Sequence, residues 1–252
     1  MLRIEGLSRH FGGVYAVTGA SIEVREGEMR GVIGPNGAGK STLFHLISGH
    51  LRAHAGKIDL RGDRIDALSP HERARRGIAI VFQGARTFRG MTVRENVMVG
   101  AHTWTRHGFL EAALRLPRHD REEKQIRQSA EAALEQVGLS DWAHREADAL
   151  PLGQQRSMQL ARALCARPSL LLLDEPASGL RSSERDTLAR LIGELRRAGL
   201  TMMLIEHDVA FVMRLVDRVT VFDLGRIIAE GTPEEMSRDE RVVAAYLGKA
   251  PL

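Results

Sequence analysis

Gly34-Pro35-Asn36-Gly37-Ala38-Gly39-Lys40-Ser41-Thr42 is the stretch that decides the fold. It fits G-x-x-x-x-G-K-[ST] in full. That spacing wraps a backbone around phosphate oxygens so that successive N–H groups face them. The helix expected to begin near Lys40 adds its positive end. Lys40 is placed to reach β- and γ-phosphates, and Ser41 to ligate Mg²⁺. The flanks match what the loop requires. Met29–Ile33 is an apolar, strand-length run ending at glycine, and Ser41–Ile47 continues with helical spacing. A ligand-free glycine turn would need neither flank.

Outward from this loop, the hydrophobic period switches repeatedly between two and 3.6, the pattern of an α/β domain. Leu2/Ile4, Ile22/Val24, Lys57–Leu60 and Ile78–Phe82 read as short strands. From Gly84 to Leu150 strand signals disappear, and Arg121–Val137 reads as an amphipathic helix stopped by Gly138. Alternation resumes with strand Leu170–Leu173, a helix carrying Leu188, Leu191, Ile192 and Leu195, strand Met202–Ile205, and a hairpin about Leu224-Gly225. Thr232-Pro233-Glu234 starts a terminal helix. The expected organisation is one domain over 1–252, with a core of 1–83 and 151–252 and a helical subdomain of 84–150.

Leu170-Leu171-Leu172-Leu173-Asp174-Glu175-Pro176 puts two acids at the end of a buried strand, where open α/β sheets bind ligands. Asp174 is a candidate to hold Mg²⁺, and Glu175 to polarise an attacking water as general base. Without the phosphate loop, these acids would read as a strand end meeting solvent. Gln83 closes IAIVFQ and His207 closes MMLIEH. A polar strand end is ordinarily just solvated, but their shared placement makes both candidates for the same γ-phosphate edge. Gln83 is a candidate to ligate Mg²⁺ or orient water, and neutral His207 to donate to the γ-phosphate. Residues 149–164, ALPLGQQRSMQLARAL, read on their own letters as a helix start, since Pro151 has no N–H and one glycine is a thin cradle.

The totals bound the class. The 252 residues are 43% hydrophobic and 27% charged, an ordinary globular composition. MLRIEGLSRH lacks the apolar core of a signal peptide, and no run approaches membrane-spanning length, so a cytoplasmic-type soluble chain is expected. A single cysteine, Cys165, sits among apolar residues and reads as a buried structural thiol. Net charge +4 is compatible with nucleic acid, an anionic surface or a phosphorylated ligand, and selects none of them. His50 and His54 are four apart without further ligands at metal spacing, and read as a solvated helix end.

Taken in order, GPNGAGKST, VFQ, LPLGQQR, LLLLDEP, SGLR and LIEHD resemble the ATP-binding cassette (ABC) ATPases over nearly the whole chain. The resemblance implies a P-loop NTPase cassette: a mostly parallel RecA-like core sheet, an N-terminal antiparallel β subdomain and a helical insert. It also implies ATP hydrolysis, Mg²⁺, and a head-to-tail dimer sandwiching two ATP molecules. Phe11 matches the adenine-stacking position, with Tyr15 as fallback. The resemblance further implies that Gly34 to Thr42 bind ATP, with Lys40 also catalytic beside Glu175, His207 and Gln83. It implies Ser41, Gln83 and Asp174 as the metal-holding residues. Leu150, Pro151, Leu152, Gly153 and Gln154 become the signature that meets the other subunit's γ-phosphate.

FGGVYAV, TFRGMTVRENV, GQQR, EPASGL, LIEHDVAFVMRLVDRV, EGTPEEM and AYLG more closely resemble ATP-binding subunits of branched-chain amino acid importers. Urea or amide importers and the lipopolysaccharide-export ATPase share much of this text. The expected partners are a second ATP-binding subunit, transmembrane permease subunits and, indirectly, a solute-binding protein, with the chain peripheral on the cytoplasmic face of the inner membrane. Two departures stand out. The usual LSGGQ is LPLGQ here, losing a hydroxyl and a glycine, and Arg181 stands where Asp or Asn is usual. A soluble ABC-type ATPase acting on nucleic acid is the rival class. Aromatics at 4% and the lack of a basic–aromatic groove speak against it, so no nucleic-acid partner is expected.

Overall fold

The computed structural model describes residues 1–84, 87–105 and 117–247. Two sheets organise it. In the first, β1 (Leu2–Phe11) pairs antiparallel with both β2 (Val14–Val24) and β4 (Ala55–Leu60), and a two-residue β5 (Asp63–Arg64) closes the edge. The second has six strands in the order β10-β9-β3-β8-β7-β6. These are β3 (Met29–Ile33), β6 (Ile78–Val81), β7 (Leu170–Asp174), β8 (Thr201–Ile205), β9 (Arg218–Asp223) and β10 (Arg226–Gly231). All pairings are parallel except β9 with β10.

β3, β7 and β8 are buried along their whole length, which is why they read as continuous apolar runs. The period of two still sorts their side chains. Leu171 and Leu173 join a core with Leu188, Leu191, Ile192 and Leu195 of the helix Ser182–Arg197, whereas Leu170 and Leu172 face the antiparallel sheet and the helix Lys40–Ser48. The β9–β10 hairpin turns through Leu224 (φ +44°) and Gly225 (φ +78°), two left-handed residues that suit the twist of a two-residue turn.

Among the described residues the α-helices, in chain order, are α1 (Lys40–Ser48), α2 (Pro70–Arg75), α3 (Val93–Met98), α4 (Pro117–Gln136), α5 (Leu152–Cys165), α6 (Ser182–Arg197), α7 (Val209–Met213), α8 (Pro233–Arg238) and α9 (Glu240–Leu247). α4 begins a turn earlier than hydrophobic spacing from Arg121 indicates, because its first residues are polar and leave no periodic mark. It ends at Gly138 (φ +70°). Ser69, Thr92 and Thr232 cap α2, α3 and α8 with reciprocal glutamates three residues on.

A third apolar cluster joins Val93 and Val97 of α3, Ala130 and Leu134 of α4, and Met158, Ala161 and Cys165 of α5. Burial pushes the Cys165 thiol up to about 11, consistent with an inert structural residue. α5 faces both ways, since Leu160 and Ala163 belong to the core of the parallel sheet. His50 and His54 do not share a helix end. α1 stops at Ser48 before the left-handed Gly49, and His54 instead packs its ring 4.1 Å from that of His10. Among the described residues no helix is long and apolar enough to cross a membrane.

Candidate functional site

Because β3, β8, β7 and β6 run parallel and adjacent, their carboxyl ends converge. The phosphate loop leaves β3, Gln83 follows β6, Asp174 and Glu175 end β7, and His207 follows β8. Parallel order alone brings these residues, far apart in sequence, to one edge.

The loop is braced from two directions that its own sequence does not reveal. Gly225 N donates to Ala38 O (3.0 Å), and Thr18 N donates to Gly225 O (2.7 Å). At Gly39, with φ +104°, a Cβ would run into the carbonyl oxygen of Ala16. Only glycine fits there, both for the backbone angle and for the approach of β2. Lys40 is buried, and its Nζ donates to the carbonyl oxygens of Gly34 (2.9 Å) and Pro35 (3.0 Å). The ammonium thus folds back across the loop onto its own carbonyls.

Ser41 Oγ donates to Asp174 Oδ1 at 3.3 Å. Burial pushes the Asp174 carboxyl up from the ordinary carboxylate range, the Ser41 hydroxyl bond works against this, and the neighbouring Glu175 charge adds to it. A buried acid beside a single hydroxyl is a costly arrangement without a cation, and it suits a hard oxygen-seeking one. Among the described residues no group of three or more His, Cys, Asp or Glu could hold a metal unaided.

Glu175 sits in the left-handed region (φ +48°), with its N–H donating to Ile205 O (2.9 Å). For a non-glycine residue this backbone is held by its surroundings. Gln83 Nε2 donates to Glu175 Oε2 at 2.6 Å. Ser41–Asp174 and Gln83–Glu175 are therefore adjacent pairs on one edge. His207 is exposed, with Nδ1 3.5 Å from Glu206 Oε2, and among the described residues no hydrogen bond joins it to Glu175. Phe11 lies at the β1–β2 turn, 45% exposed, with the Arg9 guanidinium 4.8 Å above its ring. Tyr15 is more exposed still, at 65%.

The 150–154 stretch splits at Pro151. Leu150 is buried, Pro151 is the N-cap of α5 without a side-chain cap, and Leu152 is 40% exposed. A Cβ on Gly153 would lie 2.6 Å from Glu184 Oε1, so α5 approaches α6 at this point through the missing side chain. The other Glu184 oxygen accepts from Arg181 N (2.9 Å). Sequence reading missed Ala16, Gly225, Arg156, Gln159 and Glu206. The first two act through backbone, and the last three are buried polar residues in helical or strand text that hydrophobic patterning passes over.

The ABC transporter family model matches residues 17–178, and the model for the branched-chain amino acid ATP-binding cassette transporter matches residues 226–251. The chain is 40% identical over 251 residues to the high-affinity branched-chain amino acid transport ATP-binding protein BraF of Pseudomonas aeruginosa, covering 99% of this chain and 98% of BraF. It is 35% identical over 249 residues to the lipopolysaccharide export system ATP-binding protein LptB of Haemophilus influenzae, covering 99% and 98%. A crystal structure of the ADP conformation of an ATP-binding cassette of an ABC transporter superposes with a TM-score of 0.85 at 32% identity, covering 99% of both chains.

Proposed function

The chain belongs to the ABC transporter family of ATP-binding subunits, and from that premise we propose that it hydrolyses ATP to drive an importer of branched-chain amino acids or related small polar solutes. The observation that supports the catalytic part is the 2.6 Å bond from Gln83 to Glu175, next in sequence to Asp174, which Ser41 meets at 3.3 Å. The match over residues 226–251 and the 40% identity to BraF support the importer, against the 35% identity to the lipopolysaccharide-export protein.

The phosphates of ATP lie on the N–H groups of the 34–42 loop, Pro35 excepted since it has none, and Lys40 exchanges the carbonyls of Gly34 and Pro35 for β- and γ-oxygens. Ser41, Asp174 and Gln83 would hold Mg²⁺, which would neutralise phosphate charge when bound. Gln83 keeps the Glu175 carboxylate oriented toward an attacking water. The water oxygen bonds to the γ-phosphorus as the bond to the β–γ bridging oxygen breaks, its proton passes to Glu175, and ADP and phosphate result. His207 donates to the γ-phosphate, and Phe11 stacks on adenine. A second ATP-binding subunit contributes its own Gly153 and the positive end of its α5 to the γ-phosphate. Permease subunits at the cytoplasmic membrane face receive the motion, and a solute-binding protein acts through them.

The test is Glu175→Gln in the purified protein. It should bind ATP with wild-type affinity, lose about 10²–10³-fold in kcat, and accumulate as an ATP-bound dimer by size-exclusion chromatography. Hydrolysis at the wild-type rate would remove Glu175 as the base. Co-purification with polytopic membrane proteins supports the transport role, and co-purification with RNA or DNA sinks it.

A further inference from the structure

Beyond the phosphate edge, three buried polar side chains surround the segment that follows Glu175. Glu206 is fully buried at the end of β8, and its Oε1 accepts from Ala177 N at 2.7 Å. Arg156, on the inner face of α5, is 7% exposed and donates from Nη2 to Ser178 O at 3.3 Å. Gln159, one turn further along α5, donates to Gly84 O at 2.7 Å and lies 3.5 Å from Arg156 Nη1 through its own carbonyl. The backbone just past Glu175 is therefore held by β8 on one side and by α5 on the other. The same helix also holds the backbone next to Gln83.

Burial on this scale is expensive for charged groups. It pushes Arg156 down and Glu206 up, while their mutual charge pulls Arg156 back toward its usual range. Arg156 Nε and Glu206 Oε2 are both buried without a hydrogen-bond partner among the described residues. A fold that only needed to fill this space would place apolar side chains here at lower cost. Arg156 Nε is left without an acceptor and Glu206 Oε2 has only the exposed His207 ring at 3.5 Å, a poor return for two buried charges beside the catalytic turn that calls for a functional account.

We propose that Arg156 and Glu206 are positioning residues for hydrolysis. Holding residues 177 and 178 from opposite sides, they fix the left-handed turn at Glu175 and connect it to the helix that opens at Gly153. The inference rests on Glu175 being the general base. Its content is directional: a change in α5 when Gly153 meets the opposing nucleotide reaches the base of the same chain through Arg156 and Ser178. Gln159 carries the same change to Gly84 and so to Gln83. The link is internal to each subunit and needs no residue from the partner.

ATPase kinetics on the full chain test this. Glu206→Ala and Arg156→Gln should each lower kcat about tenfold while KM for ATP stays within about threefold. Glu206→Gln keeps an oxygen acceptor for Ala177 N–H and should recover most of the lost turnover. The double variant should be no more than about threefold slower than the worse single one, because both residues act through one segment. In a Glu175→Gln background, Glu206→Ala should still form the ATP-bound dimer, a result that a general loss of fold would prevent. Wild-type kcat in Glu206→Ala, multiplicative losses in the double variant, failure of Glu206→Gln to recover turnover, or loss of the dimer would each overturn the link. If Glu206→Ala keeps full turnover while Glu175→Gln is inactive, only this inference fails. Full turnover in Glu175→Gln removes the base assignment itself, and the link with it.

Discussion

The phosphate loop and the 150–156 stretch are both glycine-bearing helix starts, yet they are built in opposite ways. The loop is the more enclosed of the two: Gly34, Pro35, Ala38 and Lys40 are buried, only its tip at Asn36 and Gly37 is exposed, and Lys40 donates to carbonyls of its own loop. The start of α5 is open: Pro151 and Leu152 are exposed, and Gly153 and Gln154 only half-buried. An enclosed loop can bind a ligand within one chain, whereas an open helix end completes a site only when something else covers it. The two also differ in what holds them. β2 and the β9–β10 turn brace the loop by backbone contacts, whereas α5 is anchored behind its open end by the side chains of Arg156 and Gln159. One half is set by main-chain fit and the other by polar side chains.

The strongest way to break this contrast is at Lys40. Removing its ammonium leaves the loop backbone intact but strips the charge that faces the phosphates. Lys40→Ala should weaken ATP binding at least ~100-fold by fluorescent-nucleotide titration. Unchanged affinity would mean that the loop does not bind phosphate. At the open end the effect should be confined to association. An aspartate in place of Gly153 would press a carboxylate against Glu184 and bring negative charge to the positive end of α5. Gly153→Asp should keep monomer ATP affinity within about twofold, yet raise the ATP-dependent dimer dissociation constant more than tenfold, measured by sedimentation in a Glu175→Gln background. If monomer binding falls as well, the two halves are not separate.

How much of this was legible follows the same division. Gly34–Thr42 and Leu170–Glu175 could be read because their chemistry depends on contiguous residues: a glycine pattern in one, an apolar run ending in acids in the other. Placing Gln83 and His207 needed only the rule that parallel strands end together. The brace at Ala16 and Gly225 was invisible, since a backbone oxygen leaves no letter in the sequence. Arg156 and Glu206 were passed over for a different reason. GQQR and LIEH look like solvated text, and nothing in hydrophobic spacing tells a buried arginine from an exposed one. The starts of α4 and of strand β4 lie four and two residues before the expected ones, because Pro117–Asp120 and Ala55-Gly56 add no large apolar side chain to the period.

Asp174 sharpens the enclosed half at smaller scale. Burial raises its folded pKa above the unfolded value, so the folded state binds the proton more readily. Stability therefore falls as pH rises from the unfolded pKa through the folded one, and at neutral pH the charged carboxylate costs stability. Asn keeps an oxygen acceptor for Ser41 and removes that charge. Asp174→Asn should abolish hydrolysis yet raise the melting temperature of the nucleotide-free protein by roughly 2–4 °C. The gain should vanish below about pH 4, where the wild-type carboxyl is protonated. A lower melting temperature at pH 7 would show that Asp174 is held by favourable contacts, and would remove the electrostatic case for a cation beside it.

The smallest effect is expected at Pro151, where the open half departs most from its family pattern. Proline fixes φ near −65° and is observed here at −56° with ψ 155°, the extended geometry an N-cap needs, so the side chain prepays the ordering of that residue. What it lacks is a hydroxyl for the N–H groups two and three residues on. Serine would supply the hydroxyl and give up the rigidity, two terms of similar size and opposite sign. Pro151→Ser should therefore leave the melting temperature within about 2 °C and kcat within about twofold, with any change toward faster turnover because a hydroxyl can reach the opposing γ-phosphate. A dead variant would mean that proline holds a shape on which dimer closure depends. The open end would then be as tightly specified as the enclosed loop, and the contrast between them would fail.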